Sequence, residues 1–290
     1  MPREIKLIDA NNNNFMFQIV VVGTGANGSH FVRGLLQDIR TYGNKYDKYN
    51  FDLTLVDEDK VEAKNTLNQL FIDEDINEYK VNALADRYGD VYNIEIKTVS
   101  QFCKDLDMLQ RLFTRPNVGK KRKVIPILIG MVDNNKTRQL FHQFFYSAIV
   151  NDLIWLDAGV EGITIKENPT ITEEEIFQID RSGFSGQIVC GLKWNGVTIL
   201  EPVTDVYANI LEDANTSFPG ESCGALIINN PQRCATNKFA AQLANNFMNN
   251  LLHVKSIFFH VINFNAQLCV SRPTYLTEEQ DEFFRIVNKA

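Results

Sequence analysis

The chain has 290 residues, 44% of them hydrophobic, and a formal net charge of −7. This size and apolar content allow one large α/β domain or two smaller ones around an extensive core. The acidic balance argues against a general binder of nucleic acid or anionic membranes, since phosphate backbones demand clustered Lys and Arg. The one basic cluster, Gly119-Lys120-Lys121-Arg122-Lys123, reads as a solvated loop before a strand.

Met1 to Asn14 is polar and carries no signal-peptide pattern, and no apolar run reaches membrane-spanning length, so a cytoplasmic location is expected. The five cysteines, Cys103, Cys190, Cys223, Cys234 and Cys269, include no C-x-x-C. Neither a disulfide framework nor a paired-cysteine zinc site is indicated.

Residues 17 to 22, Phe-Gln-Ile-Val-Val-Val, are β-branched and nearly all apolar, which suits a strand buried on both faces of a parallel sheet. The turn Gly23-Thr24-Gly25-Ala26-Asn27-Gly28 follows and opens a helix over about 27 to 40. Gly23 permits the tight turn, Gly25 lets backbone approach a ligand, and Gly28 lets helix and strand pack closely, with free N–H groups aimed at an anion. The pattern alone covers NAD, FAD, SAM and ATP sites.

A polar, aromatic stretch from Thr41 to Asn50 reads as an inserted loop. A second strand over 52 to 57 then ends at Asp57, beside the glycine turn, where a carboxylate can accept hydrogen bonds from both ribose hydroxyls. A helix over 78 to 88 places Lys80 in its first turn. There the dipole disfavours a cation unless an anion is bound, though a plain surface lysine costs under about 1 kcal/mol.

Strands over 93 to 99 and 124 to 132 follow, and the latter delivers Asp133 to the same sheet edge. A carboxylate near a pyrophosphate is repulsive unless a divalent cation lies between them, and Mg²⁺ binds through one or two carboxylates plus nucleotide phosphates. That favours ATP over NAD; the alternative is that Asp133 caps the helix over 135 to 149. A strand over 152 to 157 completes the βαβ alternation, which implies a mostly parallel sheet.

After Gly159 and Pro169 the texture changes. Thr172-x-x-Glu175 is a capping box for a short helix, and Trp194-Asn195-Gly196 reads as a hairpin turn joining 187 to 193 with 197 to 201. Residues 233 to 252 carry Phe239, Leu243, Phe247 and Leu251 at helical spacing, a core-facing stripe. Runs 257 to 264 and 266 to 271 read as closing strands. The expected fold is a Rossmann-like α/β sheet flanked by helices, with antiparallel strands added in the C-terminal half.

The ordered series Gly23-x-Gly25-x-x-Gly28-Ser29, Asp57-x-Asp59-x-Val61, Asn65-x-x-x-Gln69-x-Phe71, Tyr79-Lys80-Val81, Asp133-Asn134-x-x-x-Arg138 and Asp157-Ala158-Gly159 resembles the ubiquitin-activating superfamily of ThiF, MoeB and HesA adenylating proteins. The loop after the first helix, Glu221-Ser222-Cys223 and the segment from His260 to Pro273 look most like the ThiF-like proteins of the PRTRC plasmid-associated system. The resemblance implies one adenylation unit over 1–290, with a nucleotide-binding half at 15–159 and a substrate and dimer half at 160–290. It implies ATP- and Mg²⁺-dependent adenylation of the C-terminal carboxylate of a ubiquitin-like protein or peptide, and a homodimer.

By position, Gly23, Gly25, Ala26, Asn27 and Gly28 would cradle phosphate and Asp57 would hold ribose. Lys80 would stabilise phosphate charge, Asp133 would hold Mg²⁺, and Asn65 and Gln69 would complete the catalytic lining. Asp59, Asn134 and Arg138 would stand around the nucleotide. Cys223 and Cys234 are the candidate nucleophiles should the acyl group pass to a thiol; since nothing nearby in sequence lowers either pKa, the plainer reading of each is a buried or incidental thiol.

Three departures accompany the resemblance. Asn68 stands where the family has an arginine before the glutamine, no N-terminal arginine has a clear counterpart in Met1 to Asn14, and the C-x-x-C zinc pairs are missing. Two other readings follow: an ATP-binding scaffold without turnover, favoured by Asn68, and an NAD-dependent oxidoreductase, favoured by the glycine turn with Asp57.

Overall fold

The computed structural model describes residues 2–9, 12, 14–42, 50–114, 122–163, 172–214 and 232–289. After a short β1 (Ile5–Lys6), the sheet is built on β2 (Phe15–Val22), whose eight residues are all buried, as its apolar run predicts. On one side β2 pairs in parallel with β3 (Phe51–Val56), and β3 with β4 (Lys97–Val99). On the other side it pairs in parallel with β5 (Lys123–Gly130), and β5 with β6 (Leu153–Val160). The chain therefore reverses its direction of travel across the sheet at β2, the switch point where α/β folds open a crevice at the strands' carboxyl ends.

From β6 onward pairing is antiparallel: β7 (Ser185–Trp194) adds to β6 and carries β8 (Val197–Leu200), and β10 (Phe259–Asn265) and β11 (Val270–Tyr275) extend the sheet to nine strands. Asn195 and Gly196 at the β7–β8 turn both have positive φ, 49° and 77°, the conformation that Asn-Gly hairpins favour. A separate pair joins β1 to β9 (Ser256–Ile257).

Helices cover both faces. α1 (Ala26–Tyr42) lays Phe31, Val32, Leu35 and Leu36 on Phe17, Ile19 and Val21, next to α2 (Lys80–Tyr92). The opposite face packs Val20, Val22 and Leu128 under α3 (Leu106–Leu112) and α4 (Asn135–Tyr146), whose Phe141 meets Trp155 edge-on at 5.7 Å. α5 (Glu173–Arg181) starts at the Thr172–Glu175 capping box. Two short helices, α6 (Val203–Val206) and α7 (Asn209–Glu212), precede α8 (Cys234–Val254), which packs beside α1; α9 (Glu278–Lys289) closes the chain. None of the described helices is long and apolar enough to cross a membrane.

The structure corrects three boundaries. Residues 93–96 are not strand, because α2 runs to Tyr92 and ends on Asn93 in the left-handed conformation, φ 53°. Residues 266–269 form a turn, with Asn265 Oδ1 accepting from Leu268 N and Cys269 at φ 53°, so the last strand starts at Val270. α4 stops at Tyr146, where Ser147 turns extended and its hydroxyl donates to Phe144 O.

Candidate functional site

The glycine turn is held from both neighbouring strands: Gly23 N donates to Val56 O at 2.9 Å and Met131 N to Val22 O at 2.9 Å. Each glycine has its own reason. Gly23 has φ +91°, and a Cβ there would lie 2.7 Å from Met131 O. A Cβ on Gly28 would meet Gly23 O at 2.0 Å, so helix and turn pack closer than a side chain allows. Beside Gly25 there is open space, with nothing within 4 Å of a Cβ, on the wall of a cavity.

That cavity occupies the crevice at the strands' carboxyl ends. Gly23, Gly25, Ala26, Asn27, Asp57, Asp59, Gln69, Lys80, Asp133 and Asn134 all line it, as does Asn68. Asp57 fastens the β3 end to the turn: its Oδ2 accepts from Thr24 N at 2.6 Å and Thr24 Oγ1 at 2.9 Å, and its Oδ1 from Asp59 N at 2.9 Å. Burial raises the carboxyl pKa of Asp57 above its ordinary value, and the Lys80 cation opposes that shift. Lys80 is the first residue of α2 and is 6% exposed, which rules out a plain surface lysine; its Nζ donates to Asp59 Oδ2 at 2.7 Å.

Asp133 does not cap α4. Asn134 is the cap, its Oδ1 accepting from Thr137 N at 2.8 Å, while Asp133 stands exposed at the cavity. Asn65 and Arg138 do not line the cavity. Asn65 is buried with its Oδ1 accepting from Glu62 N at 2.8 Å, which shapes the turn that presents Asn68 and Gln69. Arg138 Nε donates to Asp157 Oδ1 at 2.9 Å and its Nη2 to Val132 O and Ala158 O, joining the ends of β5 and β6 beneath the cavity. Gly28 likewise packs on the turn rather than lining the space.

Gln101, Phe102 and Cys103 form a wall that has no counterpart in the sequence motifs; the end of the strand at Val99 was its one signal. Glu58 and, from the second half, Gln232 also line the cavity. Cys103 is buried, and burial with nearby Asp105 pushes its thiol up to about 12, so it is inert. Cys234 begins α8, two residues beyond Gln232. Cys223 lies outside the described residues, as do Glu221, Ser222, residues 43–49 of the inserted loop, Pro169 and Gly119 to Lys121. Among the described residues no group of three or more His, Cys, Asp or Glu side chains could hold a metal by itself.

Several polar atoms at this end are buried with no partner among the described residues: Asn27 Oδ1 and Gln69 Oε1 on lining residues, and His30 Nε2 one turn on from Asn27. Buried polar atoms rarely stay unpaired, so the cavity is chemically suited to a polar guest.

The family model of the ThiF family matches residues 10–190. E. coli MccB solved with ATP superposes with TM-score 0.54 at 13% identity, covering 90% of this chain and 64% of MccB. PaaA gives TM-score 0.52 at 15% identity, covering 90% of this chain and 64% of PaaA. MccB, the microcin C7 biosynthetic enzyme, in complex with N-formylated MccA gives 0.54 at 12%, covering 91% and 65%. The chain thus spans a little under two thirds of the length of these structures, and the likeness is one of fold. No curated protein matches the chain in sequence.

Proposed function

We propose, from the premise that this chain belongs to the ThiF family, that it adenylates the C-terminal carboxylate of a peptide or small ubiquitin-like protein with ATP. The observation that carries this reading is one cavity lined by the glycine turn, the Asp57 carboxylate, Lys80 and the non-capping carboxylate Asp133. Crystal structures of MccB with ATP and with MccA add support, since a neighbour of the same fold accommodates a nucleotide and a second molecule.

The donor set fits the ligand. The space beside Gly25 and the N–H groups of the first turn of α1 suit phosphates, and Asp57 faces the place of a ribose. Asp133 suits a hard cation shared with phosphate oxygens. Mg²⁺, when bound there, neutralises phosphate charge.

In the reaction the substrate carboxylate oxygen attacks the α-phosphorus, the bond to the bridging oxygen breaks, and pyrophosphate leaves with that electron pair. Two anions must meet, so this chain's task is positioning and charge. Lys80, held by Asp59, presents its positive charge at a fixed place, and such preorganised donors supply much of the stabilisation in phosphoryl chemistry. Asn27 and Gln69 present polar amide groups on the same wall. We further propose that the molecule acts as a homodimer and that Cys234 is the thiol placed to receive an acyl group, should a thioester form.

The test is ATP–pyrophosphate exchange over a set of peptides with free C-termini, each repeated with the C-terminus amidated. Exchange that a free-carboxylate peptide supports and its amide does not is the expected result. Exchange equally fast with the amides overturns carboxylate adenylation. A second reading, an ATP-binding scaffold, rests on Asn68 lining the cavity where the resemblance places an arginine; ATP binding without exchange on any peptide favours it.

A further inference from the structure

We propose that α5 is the docking surface for the substrate polypeptide, and that it takes a segment upstream of the reacting C-terminus in which apolar side chains are flanked by cationic ones. The inference rests on the adenylation reading and deepens it, naming the class of polypeptide that this site takes.

It starts from a connection longer than the fold needs. β6 and β7 are antiparallel neighbours, with Val160 opposite Gly186, and a two-residue turn can join such strands. Here β6 ends at Val160 and β7 begins at Ser185, so residues 161 to 184 all stand between them. Excursions of that length on a compact scaffold are where binding surfaces concentrate. This one leaves from the carboxyl end of β6, the edge of the sheet that holds the cavity.

α5 is the described helix of the excursion, and none of its nine residues is buried. Short helices gain most of their stability by packing an apolar face, and here that face is bare: Ile176 is 48% exposed and Phe177 53%. The Arg181 guanidinium lies over the Phe177 ring at 3.8 Å.

The helix is tied to the cavity. Arg233 donates through Nε to Ser182 O at 2.8 Å and through Nη2 to Ile179 O at 2.9 Å, and its guanidinium lies 4.1 Å from the Phe184 ring centroid. The residue before it, Gln232, lines the cavity. Ile176 and Phe177 therefore stand about one turn from the anchored end of α5, roughly 10–15 Å from Gln232. An extended chain covers that span in about three to five residues. A polypeptide whose C-terminus enters the cavity past Gln232 thus lays its next upstream residues on α5.

Charge selects the partner. Glu173, Ile176, Phe177 and Asp180 follow one another at i, i+3, i+4 and i+7, a single stripe along α5 with a carboxylate at each end. The carboxylates of Glu173 and Asp180 are exposed and make no hydrogen bond or ion pair with another described residue. Glu173 suits the N-terminus of the helix, but Asp180 stands in the last turn, where the dipole disfavours an anion. An apolar pair between two unpaired carboxylates is the complement of an apolar segment flanked by lysine or arginine.

Fluorescence anisotropy of labelled ten-residue peptides with the full chain and Mg-ATP reads the inference. The peptides share their last four residues and a free C-terminus, and upstream of these carry leucine with lysine, leucine with glutamate, or serine alone. The leucine–lysine peptide is expected to bind about ten-fold more tightly than the serine peptide, the effect of burying most of one large apolar side chain. The leucine–glutamate peptide binds no more tightly than serine. Ile176→Ser with Phe177→Ser removes the preference, and Glu173→Gln with Asp180→Asn reduces it by about three-fold or more. Melting temperature and ATP affinity stay as in the wild type in both.

Equal binding of the three peptides, or a preference that survives Ile176→Ser with Phe177→Ser, overturns the inference and leaves adenylation standing. A variant that loses ATP affinity together with the preference overturns it too, as a structural effect. The expected preference without pyrophosphate exchange on any of the peptides keeps the docking surface and counts against adenylation.

Discussion

Lys80 Nζ sits 2.7 Å from Asp59 Oδ2, the lysine buried at the first residue of a helix and the carboxylate on the cavity wall. A cation there works against the helix dipole, and the carboxylate compensates it. The pair therefore fixes a charge on the cavity wall rather than bracing the surface.

Lys80→Met leaves Asp59 uncompensated and is expected to lower stability by about 1–3 kcal/mol. Peptide-dependent pyrophosphate exchange should fall by about 100-fold or more, since a placed donor is lost. Urea melts and exchange assays on the same preparation check both, and full exchange in the folded variant removes Lys80 from the chemistry.

Much of this pair was legible in the sequence, because Lys80 in a first helical turn is a local anomaly. Its burial was not, since that depends on residues brought over it from elsewhere in the chain. Asp57 and Asp133 were placed at the ends of apolar β-branched runs; β3 ends at Val56, directly before Asp57, whereas β5 ends at Gly130 rather than Val132, and Asp133 follows three residues later. Arg138 shows the limit: spacing from Asp133 puts it on α4, but only the fold shows its guanidinium bonded to Asp157 of β6.

The same limit explains the overlooked elements. α9 opens on a reciprocal pair, Thr277 N to Gln280 Oε1 and Gln280 N to Thr277 Oγ1, a capping signature present in the sequence. α3 begins at Asp105, whose side chain accepts from Met108 N. The two-residue strands β1 and β9 are too short to show any periodicity, and Gln101 to Cys103 join the site only through the order of strands in the sheet.

Asp133→Asn should separate function from stability. The carboxylate is exposed and leaves the capping of α4 to Asn134, so the melting temperature is expected to stay within about 1 °C, as for other exposed sites. Mg²⁺-dependent tightening of ATP binding should disappear. A large drop in melting temperature would instead assign Asp133 to the fold.

Gly25→Ala and Gly28→Ala should fail differently. A Cβ at position 28 meets Gly23 O at 2.0 Å, so that variant is expected to lose several kcal/mol, roughly 3 or more, by overpacking against backbone. A Cβ at position 25 meets nothing, so Gly25→Ala should melt like the wild type and bind ATP at least about ten-fold more weakly. Thermal melts with nucleotide titration test the contrast, and equal melting temperatures for the two variants would refute the packing role given to Gly28.

His30 gives the pH dependence its sign. Burial, then Lys238 and Arg33, hold its pKa below the ordinary 6.5, with the bond to Asn68 acting the other way. Below pH 6.5 the unfolded chain binds a proton that the folded chain refuses, so stability contributed by neutral His30 is fully present above that pH and is lost as pH falls from there through the lower folded-state pKa. Denaturant midpoints at pH 7.5 and 5.5 should diverge less in His30→Asn than in the wild type, and an unchanged difference would place His30 outside the acid response.

The most direct measurement on the central claim is calorimetric titration of the full chain with Mg-ATP and, separately, with NAD. An adenylating site built from the glycine turn, Asp57, Lys80 and Asp133 predicts tighter binding of Mg-ATP, by about ten-fold or more, and loss of that preference in Asp133→Asn. Tighter binding of NAD than of Mg-ATP by the wild-type chain would contradict the account.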